Sequence, residues 1–120
     1  MIGTPYLERG RDPAHGLDCW GLVLQAFAAY GHTIPDIPPG LTPLVWRMRQ
    51  AETGQWVPEQ FNISAPQLVS IRSESGAVDH AAVGVGFGQI VHALEGQGVV
   101  VQTHRMWRSK MVGVYAWIGH

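Results

Sequence analysis

The single cysteine of the chain, Cys19, is the residue best placed to act as a nucleophile. It follows Asp18, whose short acceptor side chain is typical of a helix N-cap, so the thiol is expected in the first turn of a helix. Unpaired N–H groups and the helix dipole favour an anion there, which predicts a thiol pKa below its usual value of about 8.5. Because the adjacent carboxylate opposes this shift, a reactive thiolate also requires a cationic partner. A buried core cysteine is the alternative.

Two histidines on consecutive predicted strands, His80 and His92, are the candidates for that partner. If residues 86–88 form a three-residue hairpin loop, Ala82 lies opposite His92 and both imidazoles share one face of the sheet. A two-residue loop would slip the register by one residue and place them on opposite faces. The small side chains on the shared face would let the helix bearing Cys19 approach closely. The three residues then match the nucleophile, base and orienting group of cysteine hydrolases.

Two helices are predicted from the spacing of apolar residues. The first runs from Cys19 to Tyr30, and both of these residues are predicted on its buried face. Gly31 ends it as a C′ residue. A proline-rich surface excursion over 31–43 follows it. The second helix is predicted over 42–53, with Thr42 as its cap and a proline at its first position. Its predicted apolar face comprises Leu44, Val45, Met48 and Ala51.

The remainder of the chain has the period of two that is typical of strands. After a linker-like segment at 55–66, turns containing glycine separate a predicted meander of strands. The predicted strands are 67–71, 80–85, 89–94, 99–103 and 112–118. Helices followed by antiparallel strands indicate an α+β fold, in which a sheet packs against the cysteine helix. No role is predicted for the remaining histidines, His15, His32, His104 and His120.

Composition limits the class of protein further. With 120 residues, 46% of them hydrophobic and 14% charged, the chain predicts a single domain spanning residues 1–120. Eight basic and nine acidic residues are scattered without runs, so neither a nucleic acid nor an anionic membrane is expected as a partner. No apolar run approaches the ~18 residues of a membrane span. The first residues do not form a secretory leader, and one cysteine cannot form an internal disulfide.

Three short motifs carry a resemblance to a known family. They are Gly-Thr-Pro-Tyr at 3–6, Gly-Leu-Asp-Cys-Trp-Gly-Leu-Val at 16–23, and His80 followed twelve residues later by His92-Ala93. Together they resemble the NlpC/P60 family of papain-like cysteine peptidases over nearly the whole chain. The Trp-Gly-Leu after the cysteine resembles the branch found in phage tails and prophages. In family members the strand that precedes His80 commonly opens with Gly-Asp, whereas this chain has Ala-Pro-Gln at 65–67.

This resemblance implies a papain-like fold that hydrolyses peptide amides in cell-wall stem peptides, typically the bond between γ-D-glutamyl and a diamino acid. It implies Cys19 as the nucleophile, His80 as the base and His92 as the third polar residue. No cofactor or metal is required for this chemistry. The tyrosine of the Gly-Thr-Pro-Tyr run is implied to bind substrate or the oxyanion, and Trp20, beside the nucleophile, is expected at the cleft edge. The candidate residues for binding substrate or the oxyanion are Tyr6, Trp20 and Asp18.

The expected partners are the peptidoglycan stem peptide and other phage tail-tip proteins. The expected location is the tail tip of a virion, or the host cytoplasm before assembly, since no secretory leader is visible. Three alternatives remain open. The same thioester could serve acyl transfer, or the chain could be a structural tail-tip component without activity. The third is a zinc site made by Cys19, His80 and His92, whose types suit zinc although no two are close in sequence.

Overall fold

The cysteine helix begins and ends at the residues that its caps predict. The computed structural model describes residues 1–38, 40–51 and 54–119, and α1 spans Cys19–Ala29. The Asp18 side chain accepts a 2.8 Å hydrogen bond from the Gly21 N–H, which is N-cap geometry. Gly31 takes φ +87° and its N–H bonds the Ala28 carbonyl, as expected of a C′ glycine. The buried residues of α1 are Trp20, Gly21, Leu22, Val23, Ala26 and Phe27.

Helix α1 packs on an antiparallel sheet of six strands. The strands are β3 (Trp56–Pro58), β4 (Gln67–Ile71), β5 (His80–Gly86), β6 (Gln89–Leu94), β7 (Gly98–Thr103) and β8 (Met111–Trp117). Their order across the sheet is β3-β8-β4-β5-β6-β7. Strands β4 to β7 form the predicted meander, but β8 returns across the sheet to pair with β4 and β3. The predicted α+β class is confirmed, whereas a meander that includes the last strand is wrong.

Three short strands, β3 and two near the N-terminus, are not among the predicted strands. Trp56 on β3 is 2% exposed because its ring packs against those of Phe27 at 5.6 Å and Trp117 at 4.9 Å. Burying an indole stabilises β3 in this position, although its partners lie far away in sequence. Near the N-terminus, β1 (Arg11–Asp12) and β2 (Gly16–Leu17) pair as an antiparallel ladder of two residues each.

The two faces of the sheet carry different clusters. Toward α1, the strands contribute to the main core Leu68, Ala81, Val83, Val91, Ala93 and Val99. The opposite face carries Val69, Ile71, Ala82 and Ile90, packed against Phe61, Trp107, Met111 and Val114. Since side chains alternate along a strand, His80 and His92 belong to this second face. The expectation that α1 approaches over the histidine face is therefore wrong, because Ala81, Val83 and Val91 pack with α1 on the other face of β5 and β6.

The β5–β6 hairpin keeps the predicted facing of the histidines by a different route. Its loop has two residues, not three, because Gly86 pairs with Gln89 and Phe87 takes φ +56°. The register shifts between Gly84 and Gly86, so Val85 is an extra residue that forms a bulge. Beyond the bulge Val83 pairs with Val91, and continuing this register places residue 82 opposite residue 92, as predicted.

The second helix begins where its capping signal places it. Helix α2 spans Pro43–Ala51, and the Thr42 hydroxyl accepts a 3.3 Å hydrogen bond from the Val45 N–H. The predicted end, at residues 52–53, lies outside the described residues. Val45 and Met48, predicted on a buried face, are 38% and 51% exposed. Tyr30 is likewise 45% exposed, because α1 ends before it.

A helical connection joins β7 to β8 in place of the predicted loop. It consists of α3 (His104–Trp107) and a 3₁₀ turn at Arg108–Lys110. The His104 N–H donates to the Gly88 carbonyl at 2.8 Å, which ties the connection to the β5–β6 hairpin. The connection brings Trp107 against the histidine face of the sheet. Across the described part of the chain, no helix has the length and apolar character needed to cross a membrane.

Gly21→Ala should destabilise the protein although alanine is the better helix former. A Cβ at this position would clash with the carbonyl oxygen of Gly10, where α1 crosses the N-terminal segment. Overpacking of this kind costs about 1–3 kcal/mol, so thermal unfolding should show a lower Tm. Ala28→Gly, on the exposed side of α1, is the control and should lose only about 1 kcal/mol of helix propensity. A raised Tm for Gly21→Ala would contradict this close approach.

Candidate active site

Cys19 is the first residue of α1 and is partly exposed. The backbone N–H groups of Ala81 and Trp20 lie close enough to its sulfur to favour the thiolate. The Ala81 N–H is available because β5 pairs with β6 only from the Val83–Val91 pair toward the hairpin, so the two strands diverge at their other ends. The thiol therefore lies where the start of β5 separates from β6.

The electrostatic state of the thiol differs from the prediction. The pKa of Cys19 is raised to about 11, first by burial and then by the nearby carboxylates of Asp18 and Asp79, against the lowering effect of the two N–H groups. A lowered pKa was the wrong expectation because desolvation of a thiolate outweighs the helix N-terminus. Burial and the neighbouring His92 lower the pKa of His80 to about 4. At neutral pH the resting pair is therefore a thiol and a neutral imidazole.

The two histidines form a direct pair on one face of the sheet, as predicted. His80 Nε2 lies 2.9 Å from His92 Nδ1. His92 is fully buried, and its Nε2 lies 2.7 Å from the Gln102 Oε1 on β7. The Trp107 indole N–H donates to the same oxygen at 2.7 Å, and its ring packs edge-on against His92 with centroids 4.8 Å apart. His92 therefore sits inside a protein-lined hydrogen-bond network, and His80 is its outer member.

Two cavities meet at Cys19. The first cavity, of about 590 Å³, is lined by Cys19, His80, Gln102 and Trp107 among others. The second cavity, of about 470 Å³, has a different lining, which consists mainly of the N-terminal segment, residues 36–38, Leu41 and Pro43. Cys19 and Tyr6 line both. His80 shares the first cavity with the thiol, although among the described residues no hydrogen bond joins the two side chains. A chain-like ligand lying through both cavities would pass over the sulfur.

Comparison with known proteins identifies the family. The model of the NlpC/P60 family matches residues 3–116. The chain belongs to the NlpC/P60 family. Among solved structures it is similar to the NlpC/p60 domain of the peptidoglycan hydrolase SagA, with a TM-score of 0.60 and 24% identity over 96% of this chain and 88% of that one.

A lipoprotein-like NLP/P60 family protein from Staphylococcus aureus subsp. aureus Mu50 also shares the fold. It has a TM-score of 0.62 and 21% identity to this chain, with 99% of this chain and 38% of that one covered. No curated protein matches the sequence. These similarities confirm the NlpC/P60 fold for the helix and sheet described above.

In this NlpC/P60 domain Tyr6 stands beside Cys19. It forms an isolated bridge with Leu17, two residues before the cysteine, and lines both cavities. Burial raises the pKa of its hydroxyl, and so do Cys19, when it is ionised, and the Asp18 carboxylate. The hydroxyl therefore remains protonated and can donate a hydrogen bond to a bound oxygen.

Asp18 mainly organises the helix N-terminus. One carboxylate oxygen accepts from the Gly21 N–H and from the Arg11 guanidinium at 2.7 Å, and the other accepts from the Arg9 N–H at 3.0 Å. Arg11 also pairs with Asp36 at 2.9 Å. Asp18 lines the second cavity, but both of its oxygens already have protein partners.

Trp20 does not lie at the cleft edge as expected. It is 1% exposed and belongs to the main core, although it contributes to the wall of the second cavity. Among the described residues its buried indole N–H has no hydrogen-bond partner. The side chain faces inward because the second residue of α1 falls on the buried side of the helix.

Two residues of the site were missed by sequence reasoning, Gln102 and Trp107. Gln102 pairs with Ile90 on β6, which makes it the diagonal neighbour of His92 on the same face. The same reasoning that paired the histidines would have found it. Trp107 lies in a helix that the sequence did not predict, so no local signal placed it beside His92.

The other described histidines, His15, His32 and His104, take no part in this arrangement. His15 pairs with Asp12 at 3.1 Å, and the His104 ring stacks on Phe61. His120 lies outside the described residues. Within residues 1–38, 40–51 and 54–119, no three His, Cys, Asp or Glu side chains are arranged to hold a metal ion.

The pKa of Cys19 predicts slow alkylation. With a pKa of about 11, the thiolate fraction at neutral pH is far below that of free cysteine, so iodoacetamide should label Cys19 more than roughly tenfold more slowly. The rate should keep rising up to pH 10. Mass spectrometry at pH 5–10 measures it, and His80→Gln should change the profile little. A rate that is high and constant between pH 5 and 8 would instead indicate a thiolate–imidazolium pair.

The lowered pKa of His80 predicts acid destabilisation. An exposed histidine in the unfolded chain titrates near 6.5, whereas folded His80 titrates near 4, so the unfolded state binds the proton first as the pH falls. The free energy of unfolding should fall between pH 6.5 and 4 by about 3 kcal/mol from His80, and His92, also with a lowered pKa, adds in the same direction. Urea titrations should show a smaller loss for His80→Gln but not for the exposed His15→Gln. An identical loss in His80→Gln would contradict the assignment.

Proposed function

We propose that this NlpC/P60 domain is a cysteine endopeptidase that cleaves peptide amides in the peptidoglycan stem. The observation that carries the proposal is the shared cavity, in which Cys19 at the helix N-terminus faces His80 and His80 is bonded to a buried His92. This is the order of nucleophile, base and orienting group. The family match and the similarity to a domain of a peptidoglycan hydrolase support the substrate class.

The reaction begins from the neutral pair. As the sulfur of Cys19 attacks the scissile carbonyl carbon, the unbonded ring nitrogen of His80 takes the thiol proton, so a free thiolate never accumulates. The charge on the carbonyl oxygen is met by the Cys19 backbone N–H and the Tyr6 hydroxyl. The C–N bond then breaks, and the His80 imidazolium gives its proton to the leaving amine. His80 next takes a proton from water, whose oxygen attacks the thioester and releases the carboxylic acid and the thiol.

The charges around the two cavities suit a stem peptide, which carries carboxylates and the amine of a diamino acid. Cations at the first cavity are Arg72 and Lys110, and its anions are Glu74, Asp79 and Glu95. The second cavity carries Glu8, Arg9 and the Arg11–Asp36 ion pair. The bond between γ-D-glutamyl and a diamino acid is the one we propose, since it places a charged group on each side of Cys19.

We further propose that the domain works in a phage tail tip, where other tail proteins are its partners. The Cys-Trp-Gly-Leu sequence after Asp18 supports this setting through its resemblance to the phage and prophage branch. Within that setting the virion delivers the domain to the wall. Purified virions probed with an antibody against the domain test this placement, and its absence from them would count against it.

Substitution of the three catalytic residues tests the activity. Cys19→Ala should abolish release of stem-peptide fragments, His80→Ala should be nearly as severe, and His92→Ala should retain more activity because water can replace an orienting group. His15→Ala, an exposed histidine with a carboxylate partner, is the control and should keep wild-type activity. The measurement is mass spectrometry of purified peptidoglycan digests, which reports the bond and any acyl-transfer product.

Two outcomes would replace the proposal. Absence of cleavage by the wild-type protein on every peptidoglycan chemotype would favour a structural role in the tail. Loss of activity or of folding on adding a chelator would favour a zinc site. Activity that persists in Cys19→Ala would contradict the nucleophile directly.

A further inference from the structure

We propose that Gln102 and Trp107 are positioning residues that determine which ring nitrogen of His80 carries its proton. This inference deepens the proposed function, on which its catalytic meaning rests. It starts from three short hydrogen bonds that join four side chains in a row, namely Trp107, Gln102, His92 and His80.

The first step fixes the amide of Gln102. An indole N–H can only donate, so the Gln102 atom 2.7 Å from Trp107 Nε1 must be the carbonyl oxygen. The same oxygen lies 2.7 Å from His92 Nε2. Since that oxygen only accepts, His92 Nε2 must carry a proton.

The second step passes this assignment to His80. Burial lowers the pKa of both histidines, so each ring carries a single proton at neutral pH. With that proton on His92 Nε2, His92 Nδ1 is a lone pair and accepts from His80 Nε2–H at 2.9 Å. His80 Nδ1 is then left without a proton. It is the one ring nitrogen that can accept the thiol proton of Cys19.

The role of Trp107 follows from the near symmetry of an amide. If the Gln102 amide rotated, its NH₂ group would face His92 and every bond in the row would reverse. His80 would then carry its proton on Nδ1 and could not act as a base. The rotated amide would also leave the partly buried Trp107 N–H facing another donor, which disfavours it on the order of 10- to 100-fold.

Packing keeps Trp107 in place for this purpose. Its ring lies edge-on to His92, with 4.8 Å between centroids, and 6.3 Å from the His80 ring. The Lys110 ammonium lies 5.5 Å from the centre of the Trp107 ring, a cation–π contact. These contacts do not depend on the indole N–H, so Trp107→Phe should remove the donor and keep most of the packing.

The test reads tautomers directly, in long-range ¹H–¹⁵N spectra of protein with ¹⁵N-labelled histidine at pH 8. Wild type should show both His80 and His92 protonated on Nε2. Trp107→Phe should bring the reversed tautomers to a comparable share and lower kcat roughly twofold or more without a matching change in KM. Trp46→Phe is the matched control, since it removes an indole N–H that donates elsewhere, to the Pro35 carbonyl.

A second variant isolates the amide. Gln102→Glu presents a carboxylate, which can only accept, so it cannot reverse the row. Its tautomers should match wild type, and adding Trp107→Phe to it should no longer change them. If Trp107→Phe fails to fold, Gln102→Met, which removes the acceptor, should itself show mixed tautomers.

Unchanged tautomers in Trp107→Phe or Gln102→Met would overturn the inference, and so would reversal in the Gln102→Glu, Trp107→Phe double variant. The tautomer spectra need no substrate. Tautomers that respond in a protein without peptidase activity would reject the proposed function alone. Tautomers that do not respond in an active peptidase would reject this inference alone.

Discussion

The contact of the Ala81 N–H with the Cys19 sulfur joins α1 to β5, the strand that also carries His80. Helix α1 packs on one face of the sheet, whereas His80 belongs to the other. A residue on α1 can meet His80 only where the sheet opens, and β5 and β6 open beyond the Val83–Val91 pair. The thiol occupies this opening. The Asp18 cap and the close approach of Gly21 to Gly10 hold the helix N-terminus at that point.

The histidine pair depends on one extra residue in β5. A two-residue hairpin loop alone would have placed His80 and His92 on opposite faces, because side chains alternate along a strand. The bulge at Val85 restores the register and brings the imidazoles to 2.9 Å. Bulges commonly redirect side chains next to functional sites. The bulge also lies near the hairpin end, so it leaves the open ends of the two strands free to receive Cys19.

The relative size of two effects, the helix N-terminus and burial, sets the protonation state of Cys19. A helix N-terminus stabilises an anion by about 0.3–1 kcal/mol, which is less than one pKa unit. Burial shifts the pKa of a fully buried group by up to about 3–5 units. Desolvation therefore dominates at Cys19, and the same effect keeps His80 neutral. In the proposed reaction the Cys19 thiol and the His80 imidazole both start neutral, so the proton moves as the sulfur attacks. The tautomer of His80 therefore matters more than it would in a preformed ion pair.

The sequence by itself determined the helix that begins at Cys19 and the strands that carry the two histidines. The cap at Asp18, the helical spacing of α1 and the alternation of β4 to β7 are local, and each was read correctly from neighbours a few residues apart. The pairing of His80 with His92 also followed, since both lie on one hairpin. Tertiary structure decided what depends on distant partners. It placed α1 on the face away from the histidines, and it brought Trp107 to the site. It also placed Trp56 in a strand, β3, because burial against remote side chains outweighs local propensity. It also raised the pKa of the Cys19 thiol, since desolvation depends on how many atoms the fold places around the sulfur. The residues next to Cys19 in the sequence do not predict that number.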